Sequence, residues 1–469
     1  MVDERFRRRA DVVGALRRAP RIAAEQHWPR ERIERHRDQR LRRLVEHARA
    51  NSPFHAERLR NIDISAPDLL SRLPTMDKQV MMRELPRVLT DPRLRDLDLD
   101  RHLEGLTDDA LLFGRYRVMA TGGTSGTRGL FVYDRESWTE VMAMLALAPR
   151  WLGVSPGIPR PRMATVWASG PAHMTARLAS SFRTPVFRRL TLAATMPIAR
   201  IVAELNAFSP VWLSAYPSIA ALLAEEQRAG RLSISPRVVL VSSEQCTPAM
   251  RSRIAAAWGV QPYNTYATTE GASTAVECDR HDGLHIFESH VVLEVVDADG
   301  RPVADGRQGA KVLVTNLYNH AQPLIRYEVS DLVTVTSEAC ACGRTTQRIT
   351  SIDGRADDIM ELPTLGGDRV PVHPNHFAEA IEAIAGVHAY QVTELTHGIE
   401  ISAVAPAHGS DEIASAITAA IRQRLEPLGV AHTPLCVRIV EQIPRPDAAS
   451  GKFKLISARP GRSADRVPC

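Results

Sequence analysis

The chain has 469 residues, of which 44% are hydrophobic and 24% are charged, and its formal net charge is +5. Length and composition exclude a disordered or fibrous protein and predict two or three globular units. The sequence has no apolar run long enough to span a membrane, and its first residues lack the apolar core of a secretory signal. Six unevenly spaced cysteines favour a reducing, cytoplasmic location over a disulfide framework.

Much of the basic excess lies between Arg5 and Arg43, where arginines recur at roughly helical spacing. A basic segment of this kind can bind nucleic acid. Acidic and aliphatic residues are interleaved throughout it, which favours a solvated amphipathic helix instead. We therefore expect a helical N-terminal segment, and neither a nucleic acid nor a membrane as partner.

The next elements follow from hydrophobic periodicity and from helix-ending residues. Within residues 30–60, apolar side chains recur on one helical face until Ser52-Pro53 ends the helix. Pro74 and Asp77 are predicted to open a second helix, and Trp138–Leu147 predicts a third. Between them, Thr121–Gly129 is predicted to be a loop that joins two strands.

Strands and helices then alternate, which predicts a largely parallel sheet covered by helices. The predicted elements of this part are Ala164–Trp167, Ile198–Phe208, Val211–Ser214, Ile219–Gln227, Val238–Ser242 and Arg251–Trp258. From about His285 onward, short strands separated by turns predict a barrel-like or sandwich-like part. After Gly354, two helices and two strands predict a small α+β unit of about a hundred residues. The fold class is therefore α/β.

The segment Thr121–Gly129 reads T-G-G-T-S-G-T-R-G. Glycine allows backbone N–H groups to approach a ligand closely, and successive N–H groups and hydroxyls can wrap a polyphosphate. The segment has neither the lysine ending of a P-loop NTPase nor the glycine spacing of a dinucleotide fold. By itself it is equally consistent with a surface turn.

Five further segments have residues suited to nucleotide chemistry. Tyr263–Gly271 (Y-N-T-Y-A-T-T-E-G) offers an aromatic face for a base, hydroxyls for a phosphate and a carboxylate for Mg²⁺. Asp331 can accept two ribose hydroxyls. The other three segments are Val241–Gln245, Gly354–Asp358 and the lysine-bearing Ser450–Lys454. Each segment has an ordinary structural explanation, whereas their joint order does not.

In this order, the segments resemble the adenylate-forming superfamily of acyl-CoA synthetases, peptide-synthetase adenylation domains and luciferases. Within it, the chain is most similar to the branch of phenylacetate-CoA ligases and coenzyme F390 synthetase-like proteins. The branch motifs present here are S-P-F at Ser52, G-L-H at Gly283, C-x-C-G-R at Cys340 and I-x-G-R-x-D-D at Ile352. The resemblance covers nearly the whole chain.

The resemblance implies a large N-terminal domain over residues 1–353, of helix-covered sheets with a small β-barrel-like part. A small, mobile α+β domain over residues 354–469 would follow, with Asp357 at the hinge. It further implies that Lys452 reaches the reacting centre of an adenylation step, with Lys454 as the alternative. ATP, Mg²⁺ and coenzyme A are the implied cofactors.

The resemblance also assigns the nucleotide contacts. Asp331 would bind the ribose with Arg355 in support, Tyr266 would pack on adenine, Thr269 would bond the α-phosphate and Glu270 would bind Mg²⁺. Ser243 and Glu244 would lie along the adenosine. The β- and γ-phosphates would contact Thr121, Gly122, Gly123, Thr124, Ser125, Gly126, Thr127 and Arg128.

Two further sets of residues each allow two interpretations. The acyl pocket implied by the family would be lined near Trp167, His173, Tyr216 and Ala267, which could equally be core residues. A structural zinc ion would be bound by Cys278, His285, Cys340 and Cys342, with His281 as the alternative to His285. Separate buried thiols are the ordinary explanation of this second set.

These features predict an ATP-dependent ligase that forms an acyl-AMP and transfers the acyl group to coenzyme A. The expected substrate is a small aryl or arylacetic acid. One alternative is a different acceptor, such as an amine, a carrier-protein thiol or an inorganic nitrogen nucleophile. Another is a non-catalytic nucleotide-binding protein of the same fold. A homodimer is left open.

Overall fold

The computed structural model describes residues 4–106, 109–121, 129–154, 157–168, 170–181, 186–395, 398–406, 408–443 and 453–458. The helices are α1 Glu4–Glu25, α2 Arg30–Asn51, α3 Pro53–Arg58, α4 Leu69–Arg72, α5 Lys78–Arg83, α6 Leu85–Val88, α7 Leu99–Glu104, α8 Arg135–Leu145, α9 Leu147–Trp151, α10 Met174–Ser181, α11 Ile198–Phe208, α12 Pro217–Arg228, α13 Pro248–Trp258, α14 Pro374–Glu382 and α15 Ser410–Leu425.

The strands of the first 355 residues are β1 Tyr116–Ala120, β2 Leu130–Asp134, β3 Arg162–Trp167, β4 Arg188–Ala193, β5 Trp212–Ala215, β6 Val238–Ser242, β7 Tyr263–Thr268, β8 Ala272–Glu277, β9 Leu284–Ile286, β10 Val291–Val296, β11 Lys311–Asn316, β12 Tyr327–Val329, β13 Asp331–Thr336 and β14 Arg348–Arg355. Six more follow: β15 Met360–Pro363, β16 Arg369–Val372, β17 Ala389–Leu395, β18 Gly398–Val404, β19 Leu435–Ile439 and β20 Ile456–Ser457. The architecture is mixed α/β, as predicted.

A nine-stranded sheet with the order β13-β14-β9-β8-β7-β6-β5-β3-β4 organises the larger part of the molecule. Strands β4, β3, β5, β6 and β7 run parallel, whereas β8, β9, β14 and β13 are added to them in antiparallel orientation. The parallel half agrees with the predicted alternation of strands and helices.

Alternation along the parallel strands gives the sheet two different faces. On β3 and β6, Ala164, Val166, Val239 and Val241 pack against α11, α12 and α13 in one buried cluster. The intervening residues point to the opposite face, because successive side chains of a strand alternate. That opposite face is the floor of the large cleft described below.

The short strands after His285 are divided between two sheets. Strands β10, β11 and β12 make a small antiparallel sheet, but β13 pairs with β14 at the end of the nine-stranded sheet. A run of short strands does not by itself reveal which sheet each strand joins. The proposed boundary at residue 353 falls inside β14.

Residues 360–456 contribute a core of their own, in which Met360, Phe377, Ile401 and Ile421 are fully buried. A four-stranded sheet of order β19-β18-β17-β20 and helices α14 and α15 form this unit. The division of the chain into residues 1–353 and 354–469 stays a prediction.

Helix α2 joins the N-terminal part of the chain to much later strands. Leu41, Leu44 and Val45 of α2 pack in one cluster with Val292 of β10 and with Ile325. Arg30, the first residue of α2, donates hydrogen bonds to the Glu288 carboxylate at 2.6 and 2.7 Å. The helical N-terminal segment predicted from arginine spacing therefore packs on the body of the molecule.

Two further observations concern the described residues. No helix among them is both long and apolar enough to cross a bilayer. Free thiols among them are Cys246, Cys278, Cys340 and Cys342.

A buried ion cluster ties α10 to β1. The Asp109 carboxylate accepts hydrogen bonds from Arg117 of β1 at 3.0 Å, and from Arg177 and Ser181 of α10 at 3.2 and 2.7 Å. The side chains of Asp109, Arg117 and Arg177 are 0% exposed. Both guanidinium groups therefore share Asp109 as a buried counter-charge, and Arg117 has a second, longer contact with Asp11 at 3.4 Å.

We predict that Asp109→Ala lowers the free energy of unfolding by about 3–5 kcal/mol, because it leaves two buried cations without their shared anion. Urea unfolding followed by circular dichroism measures this loss. The matched control is Asp68→Ala, which removes an exposed pair with Arg72 and should leave the free energy of unfolding nearly unchanged, because water already solvates both charges. Equal effects in the two variants would contradict the assignment.

Candidate functional site

A cleft of about 1100 Å³ lies along the open face of the parallel strands and extends to the segments around residues 354–358 and 453–456. The carboxyl ends of the strands open into it, which is where open α/β sheets bind ligands. Most of the predicted site residues that the structure describes line this cleft.

The turn between β7 and β8 is held by hydrogen bonds to its carbonyl groups. The Tyr133 hydroxyl donates to the carbonyl of Thr269 at 2.7 Å and to that of Glu270 at 3.1 Å. Asn316 donates to the Glu270 carbonyl at 3.1 Å, and Tyr318 donates to the Gly271 carbonyl at 3.1 Å. The turn is therefore fixed from behind, while Thr269 and Glu270 line the cleft.

Tyr133, Asn316 and Tyr318 are residues that the sequence motifs miss. Tyr133 lies in β2, the strand after the glycine-rich segment, while Asn316 is the last residue of β11 and Tyr318 follows that strand. No local pattern marks them, because their role depends on contacts more than forty residues away along the chain. Burial raises the pKa of Tyr133 well above its usual value, so its hydroxyl remains a donor.

Asp331 is shared by two side chains from other strands. The Tyr266 hydroxyl donates to Oδ2 of Asp331 at 2.6 Å, and Nε of Arg355 donates to Oδ1 at 3.0 Å. The carboxylate of Asp331 raises the pKa of Arg355, which strengthens its cationic form. These three predicted residues are therefore brought together in one hydrogen-bonded group.

Glu270 lies next to this group and is partly buried. Burial is the main cause that raises the pKa of Glu270, while the Arg355 cation acts in the opposite direction. A nearby cation would stabilise the charged form of a carboxyl group in this environment. The position therefore favours a bound metal ion or a positively charged neighbour.

The glycine-rich segment is described only at its two ends. Thr121 and Gly129 close its base, with Thr121 N donating to the Gly129 carbonyl at 2.9 Å and Gly129 N donating to Oγ1 of Thr121 at 3.0 Å. The predicted phosphate contacts from Gly122 to Arg128 lie outside the described residues. The strands on either side, β1 and β2, pair as predicted.

Lys78 is a second residue that sequence reasoning misses. It is the first residue of α5, after the N-cap Asp77, and it lines the cleft. A Cβ added to Gly129 would lie 3.2 Å from Cε of Lys78, so the side chain passes directly beside the end of the glycine-rich segment. Burial lowers the pKa of Lys78, while the Glu270 carboxylate acts to raise it.

Glu244 connects the cleft to the C-terminal unit. Its two oxygens accept hydrogen bonds from the backbone N–H of Ser218 at 3.2 Å and of Phe453 at 2.6 Å. The neighbouring Ser243 lines the cleft with a positive φ of 69°, a region that few residues other than glycine adopt.

The two lysines considered for the reacting centre flank Phe453. Lys452 lies outside the described residues. Lys454 forms an ion pair with Asp358, with 2.5 Å between Nζ and Oδ1. The predicted hinge residue Asp357 accepts a hydrogen bond from the Ser330 hydroxyl at 2.9 Å.

Of the residues expected to form an acyl pocket, Trp167, His173 and Ala267 line the cleft. Tyr216 is not among the lining residues. It is fully buried behind Trp167 with the two rings edge to face, 4.9 Å apart, and its hydroxyl accepts a hydrogen bond from the Ala168 N–H. The expected aromatic clasp by Tyr216 is therefore corrected, because this side chain is used to support Trp167.

A cysteine and histidine cluster lies on the antiparallel end of the sheet. The donor atoms of Cys278, His285, Cys340 and Cys342 all lie within 4.8 Å of one another. Sγ of Cys278 is 3.8 Å from Sγ of Cys340, and Sγ of Cys342 is 3.2 Å from Nε2 of His285. Two thiolates bonded to one tetrahedral zinc ion would be about 3.8 Å apart, so this donor set fits such an ion.

The second nitrogen of His285 also has a partner, Oγ1 of Thr346, at 3.2 Å. A partner of this kind orients the ring of a metal-binding histidine. The alternative residue, His281, lies outside the cluster: its Nδ1 is 3.3 Å from a Glu277 oxygen and its ring packs on Tyr263.

The chain is similar to known proteins both in sequence and in fold. No family model matches the chain. Phenylacetate-coenzyme A ligase of Thermus thermophilus is 29% identical over 353 residues, which cover 71% of this chain and 72% of that protein. The Escherichia coli protein of the same name is 27% identical and covers 69% of this chain and 71% of its own length.

A crystal structure of 2-hydroxyisobutyryl-CoA ligase in the postadenylation state superposes with a TM-score of 0.71 at 18% identity. The superposition covers 92% of this chain and 90% of that chain. The fold of the chain is therefore similar to that of this CoA ligase. By sequence, the chain is a relative of phenylacetate-CoA ligases, which confirms the resemblance read from its motifs.

Proposed function

We propose that the protein is an ATP-dependent carboxylic acid ligase that forms an acyl-AMP and passes the acyl group to coenzyme A. The observation that carries this proposal is the hydrogen-bonded group of Tyr266, Asp331 and Arg355 beside the fixed Thr269–Glu270 turn in one cleft. The relatives named as phenylacetate-CoA ligases support the same activity.

In this proposal, the nucleotide lies along the carboxyl ends of the strands. Asp331 accepts the ribose hydroxyls, held in position by Arg355, and Tyr266 forms a wall of the adenine site. Thr269 bonds the α-phosphate. Lys78 supplies a cation beside the phosphate-binding segment Thr121–Arg128, in addition to Arg128.

A Mg²⁺ ion would be bound by Glu270 and by phosphate oxygens, since Mg²⁺ in nucleotide enzymes commonly has one or two carboxylates and the phosphates as ligands. When bound, the ion neutralises charge on the leaving pyrophosphate. The raised pKa of Glu270 is consistent with a carboxyl that lacks a cation of its own.

The first half-reaction is an in-line attack of the substrate carboxylate on the α-phosphorus, from which pyrophosphate leaves. Catalysis then consists mostly of positioning and charge neutralisation. A lysine from the segment anchored by Phe453 would stabilise the developing charge, and movement about Asp357 would afterwards clear the site for the thiol.

The acceptor is the least constrained part of the proposal. Coenzyme A is favoured because the relatives are named as coenzyme A ligases, while an amine, a carrier-protein thiol or an inorganic nitrogen nucleophile stays an alternative. A cytoplasmic location, a homodimer and the absence of nucleic-acid binding remain predictions of the sequence. Pyrophosphate release from a panel of acids, with and without coenzyme A, tests activity and acceptor together.

We predict that Lys452→Ala slows acyl-AMP formation about a hundredfold or more, because one positioned charge is lost from the transition state. Thioester formation from a supplied acyl-AMP should be nearly unchanged. Pyrophosphate release and thioester formation, measured separately, check both statements.

The matched variant is Lys454→Ala, which removes the ion pair with Asp358. If this variant, and not Lys452→Ala, loses adenylation, the role belongs to Lys454. Equal loss of both half-reactions in Lys452→Ala would contradict the assignment of that lysine to adenylation alone.

We also propose that Cys278, His285, Cys340 and Cys342 bind a structural zinc ion. Four protein ligands leave no open position for substrate, so the ion would stabilise the fold and take no part in the reaction. It would join the end of β8 to the turn that precedes β14.

Cys340→Ser should lower metal content and melting temperature together, because metal binding and folding are coupled at such sites. Elemental analysis and calorimetry of protein purified without metal-affinity resin measure both quantities. Cys246→Ser is the control, since Cys246 is a free thiol outside the cluster, and it should keep its zinc. Parent protein without zinc and as stable as Cys340→Ser would refute the site.

A further inference from the structure

The cleft continues well beyond the reacting end, along the open face of the parallel sheet. Met163, Thr165 and Trp167 of β3 line it in succession, as do Trp212 and Ser214 of β5. The register pairs Met163 with Trp212 and Thr165 with Ser214, so these side chains form successive rows across the floor. Trp167 is in the row nearest the reacting end, and Met163 is in the row farthest from it.

The number of residue steps between these rows gives the length of this part of the cleft. Trp167 is four residue steps along β3 from Met163, which corresponds to about 13 Å at 3.3 Å per step. Ser242 lies in the same row as Trp167 and pairs with Thr265 of β7. Thr269 comes four residues after Thr265, so it lies beyond Trp167, at the reacting end of the cleft. A single-ring acid with its carboxylate at Thr269 would therefore leave the part between Trp167 and Met163 empty. We name this part the distal arm.

The roof of the distal arm is apolar. Leu145, Ala148 and Leu178, from α8, α9 and α10, line the cleft on this side. At the far end, Met163 and Phe187 pack against a small cluster that contains the buried Trp212. Aliphatic and aromatic side chains thus line the roof and the far end of the arm among the residues that the structure describes.

The hydroxyl groups of the floor are already hydrogen-bonded within the protein. Ser214 Oγ accepts from Trp212 Nε1 at 2.6 Å, Thr165 Oγ1 lies 3.3 Å from Thr191 Oγ1, and Ser242 donates to the Thr265 carbonyl at 2.9 Å. A ligand therefore need not satisfy them. Arg189, in the Met163 row on the edge strand β4, is the charged residue of the described lining at this end.

We infer that the acid has an extended apolar tail, of the unbranched alkanoic or ω-phenylalkanoic class, which lies in the distal arm. The inference rests on the proposed ligase function and differs from it in substrate class, because an arylacetic acid would not reach the arm. The tail would displace water from a channel lined by apolar side chains, which is favourable in proportion to the apolar area buried.

The test is pyrophosphate release by the parent protein with two series of acids, from hexanoate to dodecanoate and from phenylacetate to phenyloctanoate. The specificity constant kcat/KM should rise about fourfold for each methylene that enters the arm, until the arm is filled. Met163→Trp should reduce the ratio of long-acid to short-acid kcat/KM at least tenfold, because the indole would occupy the far end. Leu240→Phe, in the Ser214 row, is a second variant should Met163→Trp fail to fold.

Arg188→Trp is the matched control, since Arg188 is an exposed neighbour on the same edge of the sheet, and it should leave the length preference of the parent unchanged. A kcat/KM that falls with every added methylene would overturn the inference while the ligase function stands. A preference for dicarboxylic acids would also overturn it, in favour of a tail that ends at Arg189. If no acid released pyrophosphate, the proposed function and the inference would both fail.

Discussion

The hydrogen bond between Tyr266 and Asp331 constrains the shape of the whole antiparallel half of the sheet. Tyr266 is in β7 and Asp331 is in β13, and three strands lie between them in the sheet order. Neighbouring strands are about 4.8 Å apart, so a flat sheet would separate β7 from β13 by about 19 Å. A hydrogen bond of 2.6 Å therefore requires the sheet to curl, so that its last strand faces its middle.

The same curl explains where the cysteine and histidine cluster lies. Cys278 follows β8, His285 is in β9, and Cys340 and Cys342 precede β14. These are the three strands that separate Tyr266 from Asp331. A metal ion at this cluster would hold the curved strands together on their outer side, while Tyr266, Asp331 and Arg355 hold them on the side of the cleft. The geometry of the site and the proposed metal site thus depend on the same bent sheet.

Local patterns were sufficient for much of the fold and for part of the site. The helix over Ile198–Phe208 and the strand over Val238–Ser242 were predicted with their observed bounds, because periodicity and terminating residues are local. The short strands of the barrel-like part were predicted, but the sheet that each one joins was not, since pairing between distant strands leaves no local trace. Lys78 and Tyr133 were missed for the same reason, and Tyr216 looked like a pocket residue although it is core. The glycine-rich contacts and Lys452 lie outside the described residues.

The packing of α2 on β10 has a consequence for synthesis of the chain. Some partners of α2, such as Glu288 and Val292, are made roughly 250 residues after the helix itself, whereas Leu59 and Leu69 of the same cluster follow it closely. At typical elongation rates, strand β10 is therefore synthesised about 10–50 seconds after α2, and the part of α2 that packs on it is uncovered during that time. Contacts of such long sequence separation also slow folding. During that interval the exposed leucines of α2 would be a recognition site for general chaperones, and the many arginines on its other face would keep the nascent helix dispersed.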